Sequence, residues 1–232
     1  MNGSFINRGG VALTQRIDAI VEAATSLFLR QGYSKTQISH IAKAVGVSVG
    51  TIYHDFVGKK EIMQYILKTT IQPDFSTRNI ETPISGDNFQ GLEQDIVDTL
   101  EKSAAEFKRP LTQELDGYSF EALISDAFDM LSRYAAGCLF IEKNQYDFKF
   151  LAGHYKAYRS NFIDAMAEYL RAFIENGMVR RVEDVELTTV LIVEILSWWA
   201  MDIRYTSFEI SHIPVESAKK VCMDNIISAY KL

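Results

Sequence analysis

An all-α fold in two unequal parts is predicted by three features of the 232-residue chain. Proline is scarce, at four residues in all, and long stretches of helix formers run between the glycines. Apolar residues recur at three- and four-residue spacing, and no segment alternates apolar and polar residues as a half-buried strand would. The charge is divided as well: residues 1–70 carry eight basic and four acidic side chains, and the remainder carries 16 basic and 26 acidic. A basic head of +4 is therefore joined to an acidic body of −10, an asymmetry suited to a small part that meets a polyanion. With 47% hydrophobic residues the chain can bury a core, which excludes a disordered protein.

Residues 1–12 read as a loose arm, because Gly3, Gly9 and Gly10 disfavour regular structure. A first helix is predicted from Thr14, with Ile17, Ile20, Val21, Ala24, Leu27 and Phe28 on one stripe and Gly32 at its end. A second starts after Thr36 as N-cap and carries Ile38, Ile41, Ala42 and Val45 as far as Gly46. Ser48 caps a third, from about Val49 to Phe56. Beyond Gly58 a fourth carries Ile62, Tyr65, Ile66 and Thr69 before Pro73. Residues 73–91, with two prolines and two glycines among polar residues, read as a loop and set the domains at 1–72 and 73–232. Helical stretches follow near 89–108, 117–136, 137–176 with a break at Asn144 or Gly153, 184–205 and 214–231.

The stretch from Gly32 to Lys60 carries the functional signal. Two short helices joined by Gly46, Val47 and Ser48 form a helix-turn-helix, in which the glycine permits the tight turn and Val47 fills the gap between the helices. Ile52 and Phe56, four residues apart, point inward, which leaves Ser48, Val49, Gly50, Thr51, Tyr53 and His54 at or near the outer surface. A short helix showing small polar groups and a tyrosine suits the DNA major groove, with its N-terminal end at base edges. Hydroxyls, a ring nitrogen and nearby lysines would hold phosphates.

These residues resemble the TetR (TetR/AcrR-type) family of transcriptional regulators. Phe28, Gly32, Tyr33, Ile41, Ala42, Gly46, Val47, Ser48, Gly50, Thr51, Ile52, Tyr53, Phe56 and Lys59 all stand in register with its pattern. The resemblance implies DNA contacts by Thr51 and Tyr53 and a phosphate contact by Lys59. Ser39, Ser48, Val49, Gly50 and His54 occupy positions that often touch DNA in the family, and Thr36 matches a frequent backbone-phosphate contact. Asp55 departs from the pattern, which usually has His or Tyr there, and an acid so placed must turn away from phosphates or pair with Lys59 or Lys60. Val49 offers only apolar readout, for example of a thymine methyl. Arg8 and Arg16 are further basic residues within possible reach of DNA.

The resemblance also implies a three-helix reading head on a larger helical body for dimerisation and ligand sensing, with repression of a palindromic operator relieved by a small hydrophobic effector. Residues 184–205 are apolar almost all round and need cover on more than one side. A homodimer through about 155–176 and 184–205 is the expected solution, with Trp198 or Trp199 near the interface. A pocket is expected among Tyr118, Phe128, Tyr134, Phe140, Tyr158, Phe162 and Trp198. The alternative is a helical interaction protein whose head reads DNA poorly and which takes no effector.

His40, His54, His154 and His212 lack ligand spacing with one another and with either cysteine, and no phosphate loop or nucleophile elbow occurs, so neither an enzyme nor a metal or cofactor is expected. Cys138 and Cys222 read as buried thiols in a reducing compartment. The opening residues hold no apolar stretch of signal-peptide length, and the apolar run from Leu187 to Met201 is too short for a bilayer and is interrupted by Glu194. A soluble cytoplasmic protein is expected.

Overall fold

A computed structural model describes residues 8–78, 80–207 and 213–232, and the side chains from Leu13 onward within them. His212 and the first seven residues of the predicted arm lie outside that set. Eleven helices occur among the described residues, with two isolated β-bridges and no strand. The chain forms two compact units that divide after Leu92.

The first unit is built on α1 (Arg8–Gln31), α2 (Ile38–Val45), α3 (Val49–Asp55) and α4 (Lys59–Ile71). The first helix starts at Arg8 rather than Thr14, so Gly9 and Gly10 are helical. Each glycine weakens a helix by about 1 kcal/mol relative to alanine, which does not prevent the helix from extending through both. Ile17, Ile20, Ala24 and Phe28 of α1 are buried with Ile41, Ala42, Ile52, Phe56, Ile62 and Ile66, one contribution from every helix. Gly46, at φ 80°, ends α2 in the left-handed conformation that a β-carbon would strain, and the chain enters α3 directly. The N-cap of α2 is Gln37, not Thr36.

Residues 73–91 do not form the passive loop that their composition suggests. Two short 3-10 turns, Pro73–Thr77 and Gly86–Phe89, lie at either end of a strap folded onto the head. Phe75 packs edge-on against Tyr65, with ring centroids 5.5 Å apart, and also meets Phe89 at 5.8 Å. Ile84 is completely buried. Its N–H donates to the Asp55 carbonyl at 2.8 Å, and its own carbonyl accepts from the Val57 N–H at 3.0 Å. The strap belongs to the first unit for this reason, and the expected boundary at 72/73 moves to 92/93. Isolated apolar residues in a polar linker found a core to enter.

The second unit holds α5 (Leu92–Thr112), α6 (Phe120–Arg133), α7 (Ala135–Lys143), α8 (Lys149–Glu175), α9 (Val185–Ser197), α10 (Ile203–Tyr205) and α11 (Val215–Tyr230). The expected break falls at Asn144, whose side-chain amide donates to the Phe140 carbonyl, and Gly153 lies within the unbroken α8. The expected helix 184–205 is interrupted by a π turn at Trp198–Asp202. Phe120, Ile124, Phe128, Phe140, Phe162, Tyr169, Phe173, Val193 and Leu196 form the core, each side chain worth roughly 1.5–3 kcal/mol of burial. Cys138 and Cys222 are buried free thiols, both pushed up to about 12 by burial. At the end of the chain, Arg180 and Leu232 donate backbone hydrogen bonds to Tyr230 and Met178 respectively.

Candidate nucleic-acid interface

The outer face of α3 is mounted on a closed inner one. Ile52, Asp55 and Phe56 are fully buried, whereas Ser48, Val49, Gly50, Tyr53 and His54 are exposed and Thr51 is half-buried. Ser48 caps the helix: its hydroxyl accepts from the Thr51 N–H at 3.1 Å and lies 2.9 Å from the Thr51 hydroxyl. The two hydroxyls hold each other at the helix N-terminus, where free backbone N–H groups and the helix dipole favour a phosphate. Tyr53 is 51% exposed, well beyond what a packing aromatic would leave to water. Ser39 is exposed on α2, its hydroxyl donating to Gln37 at 3.4 Å.

Two expected phosphate contacts are placed differently. Thr36 is only 1% exposed, and its hydroxyl donates to the Gly32 carbonyl at 2.8 Å while accepting from the Gln31 amide at 3.1 Å. It holds the turn between α1 and α2, where its hydroxyl is already engaged. Lys59 reaches back to that same turn. Its ammonium donates to the carbonyls of Tyr33 and Thr36, both at 2.9 Å, and sits 4.2 Å from the centroid of the Tyr33 ring. Two of its three protons are thus engaged within the head, which leaves one for an outside acceptor.

Asp55 turns inward, but its partner is Arg16 rather than Lys59 or Lys60. Arg16 Nε and Nη2 donate to separate carboxylate oxygens, each at 2.6 Å, and His54 Nδ1 lies 2.9 Å from Oδ1. Burial alone would push the Asp55 carboxyl up, yet the hydrogen bonds from Arg16 and His54 and the charge of Arg16 outweigh it and hold the group below its ordinary value. The departure from the family pattern is therefore a structural tie between α1 and α3. One signal in the sequence pointed to it: Arg16 stands four residues before Ile20, at the edge of the buried stripe, and a charge there needs a partner.

In the body, the predicted pocket aromatics separate. Phe128, Phe140, Tyr158 and Phe162 are buried in the core, Tyr134 is half-buried at the start of α7, and Trp198 is exposed. Tyr118 lines a cavity of about 230 Å³ between α5 and α6. The other lining residues are Ser103, Glu106, Phe107, Pro110, Asp126, Asp129, Met130 and Arg133, which sequence reading did not single out. Burial pushes the Tyr118 hydroxyl upward, Asp126 adds to the shift, and the neutral hydroxyl donates to Asp126 at 2.9 Å. The core aromatics are drawn into ring–ring packing, such as Phe162 against Phe107 at 5.1 Å.

A short exposed helix backed by a compact helical scaffold, followed by an all-helical body, defines a helix-turn-helix protein of the one-head, one-body kind. Residues 20–66 match the model of the bacterial regulatory proteins of the tetR family, and the head is accordingly a TetR-family domain. The chain is 31% identical over 98 residues to the HTH-type transcriptional regulator AcrR of Shigella flexneri, which covers 41% of this chain and 45% of that one. It is 42% identical over 57 residues to the regulator HbdR of Aromatoleum sp. (strain CIB), 25% of each. The chain thus spans less than half the length of these curated relatives. The fold is similar over 94% of this chain and 95% of the other to the ketosteroid transcriptional regulator KstR2 of Mycobacterium tuberculosis, at 17% identity and a TM-score of 0.50.

Proposed function

We propose that the protein is a sequence-specific DNA-binding transcriptional regulator of TetR type, a repressor that binds a palindromic operator as a homodimer in the cytoplasm. The observation that carries this reading is α3, a short helix whose buried back fixes it while its whole front offers Thr51, Tyr53, His54 and the capped Ser48 to a groove. The reading makes the protein a binding device and not a catalyst. The alternative of a head that no longer reads DNA draws its support from Asp55, Val49 and Gly50, and Asp55 is the strongest of these. That support weakens, because the carboxylate is buried and paired and does not repel phosphates.

Dimerisation is supported by an apolar stripe on α9. Leu187, Val190, Leu191 and Trp198, at helical spacing, are all at least 40% exposed. A second copy covering this stripe gives the two-fold axis that spaces two reading heads one helical turn or a multiple of it apart. Light scattering is expected to give a dimer for the wild type and a monomer for Leu191→Asp, and a wild-type monomer at micromolar concentration overturns the arrangement.

The cavity in the body supports an effector, with one change of chemistry from the hydrophobic molecule expected. Phe107, Pro110 and Met130 offer an apolar wall, and with Asp129 paired to Lys219, Glu106 and Asp126 still outnumber Arg133, so an apolar molecule bearing a cationic group fits better. Such an effector lowers DNA affinity by favouring a body conformation in which the heads are wrongly spaced. Operator selection from random duplex DNA, followed by titration at two salt concentrations, tests the DNA reading. A palindrome bound at least about 1,000-fold more tightly than random DNA, with affinity falling as salt rises, is the expected result. Weak and sequence-indifferent binding overturns it.

A further inference from the structure

We infer that His54, in its neutral form, presents Nε2 to the DNA as a hydrogen-bond acceptor, and so selects an amine-bearing base, adenine or cytosine, at one position on the contacted strand of each half-site. The inference rests on the DNA-reading role proposed above and adds a specificity-determining residue to it.

The chemistry follows from Asp55. Its carboxylate is fully buried and receives two guanidinium N–H groups from Arg16 at 2.6 Å, one on each oxygen. A carboxylate engaged in this way is ionised and can only accept. His54 Nδ1 lies 2.9 Å from Oδ1, so the proton between them belongs to Nδ1, which donates. In a neutral imidazole one nitrogen donates and the other accepts, so Nε2 is left with its lone pair outward.

Three elements hold this arrangement: Arg16 comes from α1, His54 and Asp55 from α3, and the Ile84 N–H of the strap donates to the Asp55 carbonyl at 2.8 Å. The His54 side chain is 68% exposed beyond it. A phosphate oxygen is itself an acceptor, so the neutral ring in this tautomer has nothing to give it, contrary to the phosphate role a ring nitrogen was expected to play. In the major groove the donors are the adenine N6 and cytosine N4 amines, whereas guanine and thymine offer acceptors at the corresponding edge. Asp55 is a positioning residue, acting through the imidazole it orients.

Two measurements on the full chain test this. Nitrogen-15 correlation spectra of the histidine rings at pH 8, with the His54 signal identified by its loss in His54→Phe, are expected to show the Nδ1–H tautomer. A ring protonated on Nε2 alone, or on both nitrogens as a phosphate-holding cation, overturns the inference. Operator selection is then run on wild type and His54→Phe. The wild type is expected to prefer adenine or cytosine about tenfold at one position per half-site, and His54→Phe to lose that preference while retaining the rest of the operator. An identical selected sequence for both proteins overturns the role of His54 and leaves the DNA-reading function standing. Failure of the wild type to select any operator overturns both, and the ring spectra still report the tautomer.

Discussion

Head and body are both helical, yet they put aromatic and charged residues to opposite use. The head leaves Tyr53 exposed on a seven-residue helix and holds a fully buried carboxylate, Asp55, against the half-buried Arg16. The body buries Phe128, Phe140, Phe162 and Tyr169, and among the described residues its ion pairs, such as Arg171 with Glu186 and Arg159 with Glu194, have no fully buried member. The reason is the size of the task each performs. A reading surface must project from a unit too small to hold it by hydrophobic packing alone, so directional bonds supplement the core. A body of five long helices has apolar area to spare and needs no buried charge.

The largest expected effect breaks the contrast between the strap and an ordinary linker. Ile84→Ala should destabilise the head by about 3 kcal/mol, because a fully buried isoleucine is lost from a segment that composition alone marks as loop. Urea unfolding monitored in the head measures it, and a change within about 0.5 kcal/mol would return residues 73–91 to passive loop.

Next comes the contrast between buried and exposed ion pairs. Asp55→Asn should cost about 2 kcal/mol at pH 7, below the range for fully buried pairs because the Arg16 side chain is 33% exposed. The pH dependence has a definite sign. The folded-state value of Asp55 lies below its ordinary value, so its contribution is complete above that ordinary value and is lost as pH falls through the folded one. The gap between wild type and Asp55→Asn is therefore expected to be constant from neutral pH to about 5 and to close below about 4. Glu186, held low mainly by its hydrogen bond from Arg171, sits in open solvent, and Glu186→Gln should leave the melting temperature unchanged. Equal losses from the two substitutions would erase the distinction.

The smallest effect sharpens the comparison at the reading surface itself. A β-carbon on Gly50 would lie 3.6 Å from the Ser48 hydroxyl, an ordinary contact, so Gly50→Ala is expected to leave stability unchanged or raise it by up to about 0.5 kcal/mol. A fall in operator affinity alongside unchanged stability would then report close approach of DNA to that backbone. Unchanged affinity would mean that the groove leaves room there.

Much of the head was legible because its signals are short-range. The stripe of Ile17, Ile20, Ala24 and Phe28, the glycine at position 46 and the cap at Ser48 each depend on neighbours within about one helical turn, and each stands where periodicity placed it. The contacts of Thr36 and Lys59 were less legible. The family resemblance implied phosphate contacts, and only the folded turn reveals the nearer carbonyls of Gly32, Tyr33 and Thr36 to which these side chains donate. In the body, aromatics separate into core and cavity according to which helices face one another, and no spacing along a single helix carries that information.

The amino-acid sequence by itself determined the helices of the head, the turn between its two reading elements, the outward residues of α3 and the division of charge, because periodicity, caps and composition act locally. Tertiary structure alone decided that Asp55 pairs with Arg16, 39 positions away, that Ile84 joins the core of the head, and that acidic side chains join Tyr118 and Phe107 in lining the cavity. Those outcomes depend on which distant surfaces meet, and a buried charge or an apolar side chain in a linker takes the best partner that the assembled fold brings within reach.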